Sequence, residues 1–503
     1  MSALQEYILS KKNQELDAGA VAYVANLEKT AQVNPDIAKA VVNELQFQRT
    51  RLKLIASENY CSLSTQLAMG NLLTDKYAEG FPFSRFYEGC DNVDTIESIA
   101  VEKAKELFGA QHAFVQPHSG ADANMVAFWG ILQAKIAVPE AEKLPVKNPL
   151  AMSHDDWEKI RVVLGNQKLL GLDLAAGGHL THGYRLNISG RMFDAYSYGV
   201  SEKDGLLDYG EIEKKAMEVK PLILLAGYSA YPRKINFKKF REIADKVGAV
   251  FMVDMAHFAG LVAGKVFEDE FDPVKWADVV TTTTHKTLRG PRGGLVLCKK
   301  EFAEYMDKGC PLVLGGPLAH VMAAKALALT EALKPEFREY AKKIVANSKA
   351  LAQACKDEGM EIVSGGTDNH LFLINAVKSF GLSGRQAAGA LFECGVTLNK
   401  NSIPFDKESA TITSGLRVGT AAVTTLGMGE SEMKEIAKIF LLILKNTKAG
   451  VVEKGEHAGK PSKITYIIDE KIKAEAQEKV KSLLNKFVLY PELDLDFLKK
   501  HFG

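Results

Sequence analysis

The 503-residue sequence has almost no net charge, few cysteines and no long uninterrupted apolar run. Lys and Arg number 63 and Asp and Glu 62, so the net charge of +1 lacks the basic excess of a general nucleic-acid binder. The most apolar long window, residues 247–264, contains Asp254 and His257, so no membrane-spanning helix is expected. These absences favour a globular protein that binds neither nucleic acid nor a membrane.

The six cysteines form no C-x-x-C pair, which argues against the common zinc and iron–sulfur sites. Their simplest interpretation is free thiols in a reducing compartment. The first thirty residues lack the basic and apolar segments of a secretory leader, so a cytoplasmic location is expected. His179 and His182 could share a metal, but no carboxylate has a matching helical spacing, and no metal site is predicted.

The succession of apolar patterns predicts an α/β protein in three parts. Residues 1–50 show helical spacing of apolar residues and predict an N-terminal helical arm. Between residues 51 and 330, strand-length apolar runs alternate with amphipathic stretches, which predicts a large domain with a mostly parallel sheet covered on both faces. Residues 331–503 predict a smaller C-terminal α+β domain with a helical tail.

Finer features interrupt this plan. Residues 133–171 are polar and contain three prolines, so they predict a helical insertion on the large domain. The segment 361–365 predicts a strand of the C-terminal domain. Residues 453–463 are charged and contain glycine, which predicts a linker, and an amphipathic helix is expected from about Asp469 to Phe487.

A lysine follows a strongly apolar strand in VVTTTTHKTLRGPRGG, residues 279–294. An isolated lysine is usually a surface charge. Lys286, however, falls at the carboxyl edge of the predicted sheet, where open α/β folds build their sites. Hydroxyl groups and glycines surround it, and such groups suit a phosphate or a flat ring held close to the backbone.

Two further segments end strands in the same way. Asp254 closes the run AVFMVD, and a buried carboxylate needs a cationic partner, which is either a structural lysine such as Lys286 or a pyridinium nitrogen. In QPHSGADAN, Ser119 and Gly120 lead into a helix whose first amides can hold a phosphate. Together these pieces predict a pyridoxal phosphate site with Lys286 as the Schiff-base lysine, Asp254 on the ring nitrogen and the Ser119 turn on the phosphate.

Many longer motifs in the same chain point to one family. In order they are LIASENY, KYAEG, QPHSG, GGHLTHG, GYSAYP, VDMAHFAG, TTTTHKT, GPRGGL, SGGTDNHLFL, NKNSIP and SGLRVGT, spanning residues 54–420. On these motifs the sequence resembles the serine hydroxymethyltransferases, fold-type-I pyridoxal phosphate enzymes. The resemblance implies a mostly parallel seven-stranded sheet in the large domain. It also implies conversion of serine and tetrahydrofolate to glycine and methylene-tetrahydrofolate.

The resemblance also implies roles around the cofactor. His179 would stack on the cofactor ring, and His257 and Ser229 would contact its phenolic oxygen side. Lys286 and Asp254 keep the roles given above. His285 and Thr283 flank the lysine and would bias the reaction specificity.

For the substrates, the resemblance places Arg417 on the serine carboxylate, supported by Ser57. Glu79 would handle protons at the serine hydroxyl. Tyr77 at the cofactor and Tyr87 at the substrate would come from the neighbouring subunit, which implies a homodimer with shared active sites and leaves a tetramer open. The implied folate contacts are Leu174, Gly178, Leu180 and Asn401.

Some positions depart from the family pattern. Ala121 stands where a phosphate-binding serine is common, Phe86 replaces a tyrosine, and Leu312 and Leu314 replace a glycine and a glutamine. Two other functions stay open on the sequence. One is a folate-independent β-hydroxy-amino-acid aldolase or small-amino-acid racemase that uses the same pyridoxal site. The other is an inactive binding protein, against which the intact Lys286 argues.

Overall fold

The computed structural model describes residues 1–11, 15–455 and 458–503. Its strands, β1 to β16 in chain order, are Leu52–Lys53, Gly80–Phe81, Ser84–Arg85, His112–Phe114, Lys168–Leu172, Asp194–Tyr198, Ile223–Gly227, Val250–Asp254, Val279–Thr283, Gly294–Cys298, Leu371–Asn375, Val396–Thr397, Asn399–Asn401, Gly415–Gly419, Thr447–Val451 and Pro461–Ile468.

The helices, α1 to α23 in chain order, are Ala3–Ser10, Ala18–Val33, Pro35–Arg49, Leu63–Leu67, Asp91–Phe108, Gly120–Leu132, Val138–Ala141, His154–Gly165, Ser189–Met192, Tyr209–Val219, Phe237–Val247, Ala259–Ala263, Pro273–Trp276, Ala303–Asp307, Gly309–Leu312, Ala319–Ala332, Pro335–Asp357, Ala376–Phe380, Gly384–Glu393, Ala421–Thr425, Glu430–Lys445, Glu470–Leu484 and Leu495–Phe502.

A seven-stranded sheet forms the centre of the large domain, with strand order β4-β10-β9-β8-β7-β5-β6. Strand β10 runs antiparallel to both of its neighbours, and the other pairings along the sheet are parallel. Strands β7, β8, β9 and β10 are buried at every residue, as their continuous apolar runs predict for a sheet covered on both faces. The predicted mostly parallel α/β sheet is therefore confirmed.

Helices cover both faces of this sheet. Because side chains alternate along a strand, Leu224 and Phe251 pack into one apolar cluster and Leu225 and Met252 into another. The first cluster includes α5, α11, α16 and α17, and the second includes α6 and α14. The two layers hold the strands rigidly, so residues at the carboxyl ends have fixed positions.

Three adjacent strands end at the same edge. Asp254 is the last residue of β8, Thr283 is the last of β9, and Gly227 ends β7 opposite Asp254. Gly227 has a φ of 130°, and a Cβ there would overlap the carbonyl oxygen of Asp254. The edge is thus closely packed at the point where the sequence analysis predicts the site.

The C-terminal part has its own apolar core. Strands β11, β14 and β13 form an antiparallel sheet, and α17, α19, α21 and α22 pack in the same cluster. Strand β1 pairs with β12, so Leu52 lies in this core too. Helices α1 to α3 pack with α23 in a separate cluster. We retain the division at residues 50 and 330 as a proposal.

Two local predictions are wrong. Residues 361–365 contain a 3₁₀ turn, Val363–Gly365, and only Ile362 forms an isolated bridge, because Ser364 and Gly365 have positive φ values that end an extended run. The predicted linker at 453–463 connects β15 and β16, which pair as a hairpin, and Pro461–Ser462 already belongs to β16. Glu456 and His457 of that stretch lie outside the described residues.

The predicted insertion at 133–171 contains a π turn, Gln133–Ala137, followed by α7 and α8. Its last four residues belong to β5, Lys168–Leu172, inside the central sheet, where burial of four of the five strand residues explains the apolar run. Any inserted segment therefore ends before Lys168. Within the described residues, no helix is both long and apolar enough to cross a membrane.

The sheet core generates a stability prediction. Leu224→Ala removes a side chain that is 0% exposed, and we expect a loss of about 3 kcal/mol in the free energy of unfolding from lost burial and the cavity left behind. The matched control is Leu150→Ala, because Leu150 is 96% exposed, and it should change stability by less than about 0.5 kcal/mol. Urea unfolding followed by circular dichroism measures both, and equal effects would contradict the described packing.

Candidate active site

A cavity of about 540 Å³ opens at the carboxyl edge of the large sheet, against β14 and the loop after β13. It is lined by many of the residues predicted from the sequence. These are Ser57, Leu174, Gly178, His179, Leu180, Ser229, His257, His285, Lys286, Asn401 and Arg417. The cavity thus joins the large domain to the C-terminal sheet at the predicted position.

Lys286 lies three residues beyond Thr283, the last residue of β9, and reaches into this cavity. Its Nζ donates to Oγ1 of Thr283 at 3.0 Å, and the Thr283 hydroxyl donates in turn to the carbonyl oxygen of Ala256. Burial lowers the pKa of Lys286 to about 8, although the charge of Asp254 acts in the opposite direction. A substantial fraction of the amine is therefore neutral near physiological pH, as a nucleophilic lysine requires.

Asp254 is buried beneath the cavity and does not form the ion pair with Lys286 that the sequence left open. Its Oδ2 accepts from Nδ2 of Asn124 at 2.9 Å and from Nε2 of His182 at 3.2 Å, and its Oδ1 accepts from the backbone of Ala256. Burial raises the pKa of Asp254, but the hydrogen bond and charge of His182 outweigh it, so the pKa falls below its usual range. The carboxylate therefore stays ionised.

His179, His182 and Asp254 lie close enough to suggest a metal site. The hydrogen bonds argue against one. Nδ1 of His182 accepts from the backbone N–H of His179, so the proton sits on Nε2 and is donated to Asp254, which leaves no lone pair on this ring for a metal. In His179, Nδ1 accepts from the backbone of Thr181, and burial lowers the pKa to about 4, so this ring is a neutral flat surface.

His257 and His370 form a buried pair, with 3.2 Å between Nδ1 of His257 and Nε2 of His370. Burial lowers the pKa of both rings, with that of His370 at about 3, and therefore both are neutral. One ring donates its proton to the other. His370 thus fixes the orientation of His257, whose ring lines the cavity.

The turn at Ser119 lies at the start of α6. Oγ of Ser119 accepts from the N–H of Asp122 and so caps the helix. The N–H groups of Gly120 and Ala121 have no acceptor within the described parts of the chain. A Cβ on Gly120 would lie 2.6 Å from Cγ2 of Thr283, which explains the glycine. Two free amides at a helix N-terminus suit an anion.

Arg417, on β14, lines the cavity, and no carboxylate in the described part of the chain pairs with its charge. Its Nε donates to Asn399 at 3.1 Å and its Nη1 donates to the carbonyl oxygen of Ser229 at 2.7 Å. Burial lowers its pKa to about 10, which leaves it a cation at neutral pH. Neutral partners hold one side of the guanidinium and leave its other donors for a carboxylate.

The predicted folate residues border the cavity. Leu174 and Leu180 are partly exposed at its mouth, and Nδ2 of Asn401 donates to the carbonyl oxygen of Ser402 at 2.6 Å. A Cβ on Gly178 would overlap the carbonyl oxygen of Leu172, so the close turn requires a glycine there. The two leucines and the asparagine therefore give the cavity entrance both apolar and polar surface.

Three predicted residues lie elsewhere. Glu79, Tyr77 and Tyr87 do not line this cavity. The phenol of Tyr77 lies 3.5 Å and that of Tyr87 3.4 Å from the carboxylate of Glu79, and the two rings meet edge to face. Around the β2–β3 hairpin, Tyr77 and Tyr87 are solvent exposed and Glu79 is half-buried. The folded chain thus separates the predicted proton-handling group from the lysine.

The sequence analysis missed Asn124 and His370 as residues of the site, and it missed the role of His182 as a partner of Asp254. Asn124 lies in the motif QPHSGADAN and His182 in GGHLTHG, so motif membership was an available signal. Their function as partners of Asp254 depends on contacts across 130 and 72 residues of chain. Arg292 lines the cavity from the turn that follows Lys286.

Comparison with known proteins identifies the family of this chain. The profile of the family described as serine hydroxymethyltransferase matches residues 30–139 and 159–440, and the gap between the two segments lies within the predicted insertion. The serine hydroxymethyltransferase of Treponema pallidum is 57% identical over the whole chain and 86% of its own length. That of Salinispora tropica is 54% identical over 95% of the chain and 99% of its own length. That of Chlamydia trachomatis is 50% identical over 99% of the chain and 99% of its own length. With most of its length matched and its site assembled at the expected sheet edge, the chain belongs to the serine hydroxymethyltransferase family.

Proposed function

We propose that this protein reversibly converts serine and tetrahydrofolate to glycine and methylene-tetrahydrofolate, with pyridoxal phosphate as its cofactor. One observation carries the proposal. A lysine of lowered pKa and an arginine with no carboxylate partner among the described residues line one cavity, and an ionised carboxylate is buried at the same carboxyl edge of the sheet. The names of the relatives agree with it. The six cysteines are free thiols, which fits the cytoplasmic setting that we propose.

The residues present fit the cofactor. Asp254 is an anion that pairs with no lysine or arginine among the described residues, which suits a protonated ring nitrogen. His179 offers a neutral ring face, Lys286 an amine for the aldehyde, and the Gly120 and Ala121 amides an anion site. The Ser229 and His257 side chains border the same space. When bound, pyridoxal phosphate supplies an electron sink for a bond broken at the substrate Cα.

The chain's own groups select which bond breaks. Arg417 binds the serine carboxylate in two-pronged fashion, and Ser57 supports it from the other side of the cavity. With the carboxylate fixed, the hydroxymethyl group is held in one orientation. Thr283 holds Nζ of Lys286 close to the reacting carbon, where the amine takes up or releases a proton. His285, with its pKa lowered to about 3 by burial, stays neutral beside it.

The folate side of the proposal uses the mouth of the cavity. Leu174, Gly178 and Leu180 border the opening from one side and Asn401 from the other. Apolar side chains cover the flat rings of a folate, and an amide supplies hydrogen bonds to the pterin. The carbon acceptor then approaches from solvent while the serine carboxylate stays at Arg417.

Folate dependence is the deciding test between this function and a folate-independent aldolase or racemase. We expect serine consumption by the purified protein to be about 100-fold faster or more with tetrahydrofolate than without it, because the acceptor captures the released carbon in place. Stopped assays of glycine from labelled serine measure it, with allo-threonine cleavage as the folate-independent control. Equal rates on serine with and without folate would contradict the proposed activity.

A second subunit completes the site in our proposal. Leu72, Phe83, Phe86 and Leu312 are more than half exposed, as is Tyr77, so an aromatic and apolar surface surrounds Glu79. Such a patch on a protein of this size suits a partner. A homodimer that exchanges this surface would bring Glu79, Tyr77 and Tyr87 to the neighbouring cavity, where Glu79 can reach the serine hydroxyl.

Mixing two inactive variants tests the shared site. Lys286→Ala removes the amine, and Glu79→Gln removes the carboxylate, so each homodimer should be nearly inactive. After the subunits are mixed and exchanged, heterodimers contain one intact site, and activity should return to about a quarter of wild type. If Glu79 serves its own subunit, no activity returns. Mixing two preparations of the same variant is the control.

The role of Arg417 has a kinetic signature. Arg417→Ala should raise the KM for serine roughly 100-fold, because a buried, charge-assisted carboxylate contact is lost. The KM of Arg417→Lys should lie between those of wild type and Arg417→Ala, because lysine keeps the positive charge but lacks the planar guanidinium. Exposed Arg338→Ala is the control. An unchanged KM in Arg417→Ala would show that another group binds the carboxylate.

A further inference from the structure

Lys325, in the middle of α16, is a buried lysine that the proposed mechanism does not use. Its side chain is among the largest that are fully enclosed. Its Nζ donates to three backbone carbonyl oxygens, those of Val115 at 2.6 Å, Pro117 at 2.9 Å and Gly294 at 2.9 Å. An ammonium has three N–H donors and a neutral amine only two, so this environment matches the charged form.

The three carbonyls belong to the two segments that form the phosphate turn. Val115 and Pro117 lie between β4 and the cap residue Ser119, and Gly294 begins β10. The N–H of Gly294 also donates to Pro117 at 2.9 Å. Lys325 therefore ties the strand-to-turn segment to the sheet immediately before the free amides of Gly120 and Ala121.

Two glycines make room for this arrangement. A Cβ on Gly293 would lie 2.5 Å from Cε of Lys325, and a Cβ on Gly294 would overlap the carbonyl oxygen of Ser119. In the motif GPRGGL, the missing side chain of Gly293 thus leaves space for Lys325, and that of Gly294 leaves space for the Ser119 turn. The packing leaves the ammonium directly behind the turn.

The positive charge of Lys325 has no carboxylate within ion-pair distance among the described residues. The acidic groups that act on it, Glu97 and Asp122, are held by other donors. Glu97 accepts from Arg85 and Gln116, and Asp122 accepts from the Ser119 hydroxyl. Burial lowers the pKa of Lys325 to about 7, because an enclosed charge without a counter-ion is costly. An anion at the turn would offset that cost.

We propose that Lys325 is a positioning residue for the cofactor phosphate. Its ammonium clamps the backbone so that the Gly120 and Ala121 amides point at the anion, and it places a buried positive charge behind them. This role rests on the proposed function, in which the phosphate binds at the Ser119 turn. It also supplies a cation at a turn where Ala121 offers no hydroxyl.

Lys325→Met tests the proposal through cofactor binding instead of activity. In the full-length apoprotein, the affinity for pyridoxal phosphate should fall roughly 10- to 100-fold, while that for pyridoxal, which lacks the phosphate, should change less than about threefold. Fluorescence titration measures both. The matched control is Lys234→Met, because half-buried Lys234 also donates to a carbonyl, that of Val266, but lies away from the turn. It should change neither affinity.

The outcomes separate the two proposals. If wild type binds pyridoxal phosphate no better than pyridoxal, the phosphate assignment in the proposed function fails. The role of Lys325 is overturned if wild type prefers pyridoxal phosphate to pyridoxal and Lys325→Met keeps the same preference. It is also overturned if Lys325→Met loses affinity for both ligands equally. Lys325→Gln, which keeps two N–H donors without the charge, replaces the Met variant if that fails to fold. It should likewise reduce the preference for the phosphate, and an unreduced preference would overturn the role.

Discussion

A carboxylate that stays ionised while buried at the end of β8 is the constraint on which the rest of the site depends. Isolated, such a charge would be protonated. Here Asn124 from α6, His182 from the loop after β5 and the backbone of Ala256 all donate to it. Those three donors come from separate elements, so the anion defines where α6 and the loop sit against the sheet. The same anion is the partner that a ring nitrogen needs.

The remaining charges around the cavity follow from the same desolvation. Burial moves Lys286 toward its neutral form and leaves His179, His257, His285 and His370 uncharged, while Arg417 remains a cation. A single subunit therefore presents one buried anion and several cationic or neutral groups. Small anionic ligands, a phosphate at one end and a carboxylate at the other, complement this distribution. The near-zero net charge of the whole chain gives no sign of this local distribution of charges around the cavity.

Separation of Glu79 from the cavity shows that the chain alone does not assemble every predicted group. The exposed hairpin with its aromatic neighbours contrasts with the tightly packed edge that holds Lys286. Exposed apolar surface is costly in water, so a surface of this kind is best explained by a partner. In our proposal, one subunit supplies Lys286 and Asp254 around the cofactor, and the other subunit supplies Glu79 for proton transfer at the serine hydroxyl.

The sequence by itself predicted five of the seven strands of the large sheet, because apolar runs of strand length separated by amphipathic helices admit few other arrangements. It missed β5, which overlaps the predicted insertion, and β6. It also identified Lys286, Asp254 and the Ser119 turn, since each directly follows such a run. Local pattern failed at 361–365 and 453–463, where positive φ values and a hairpin replaced the predicted strand and linker. Only the tertiary structure decided the partners of Asp254, the pairing of His257 with His370 and the clamp at Lys325. Most of those contacts join residues 72 to 210 positions apart, and packing, which no local pattern encodes, brings them together.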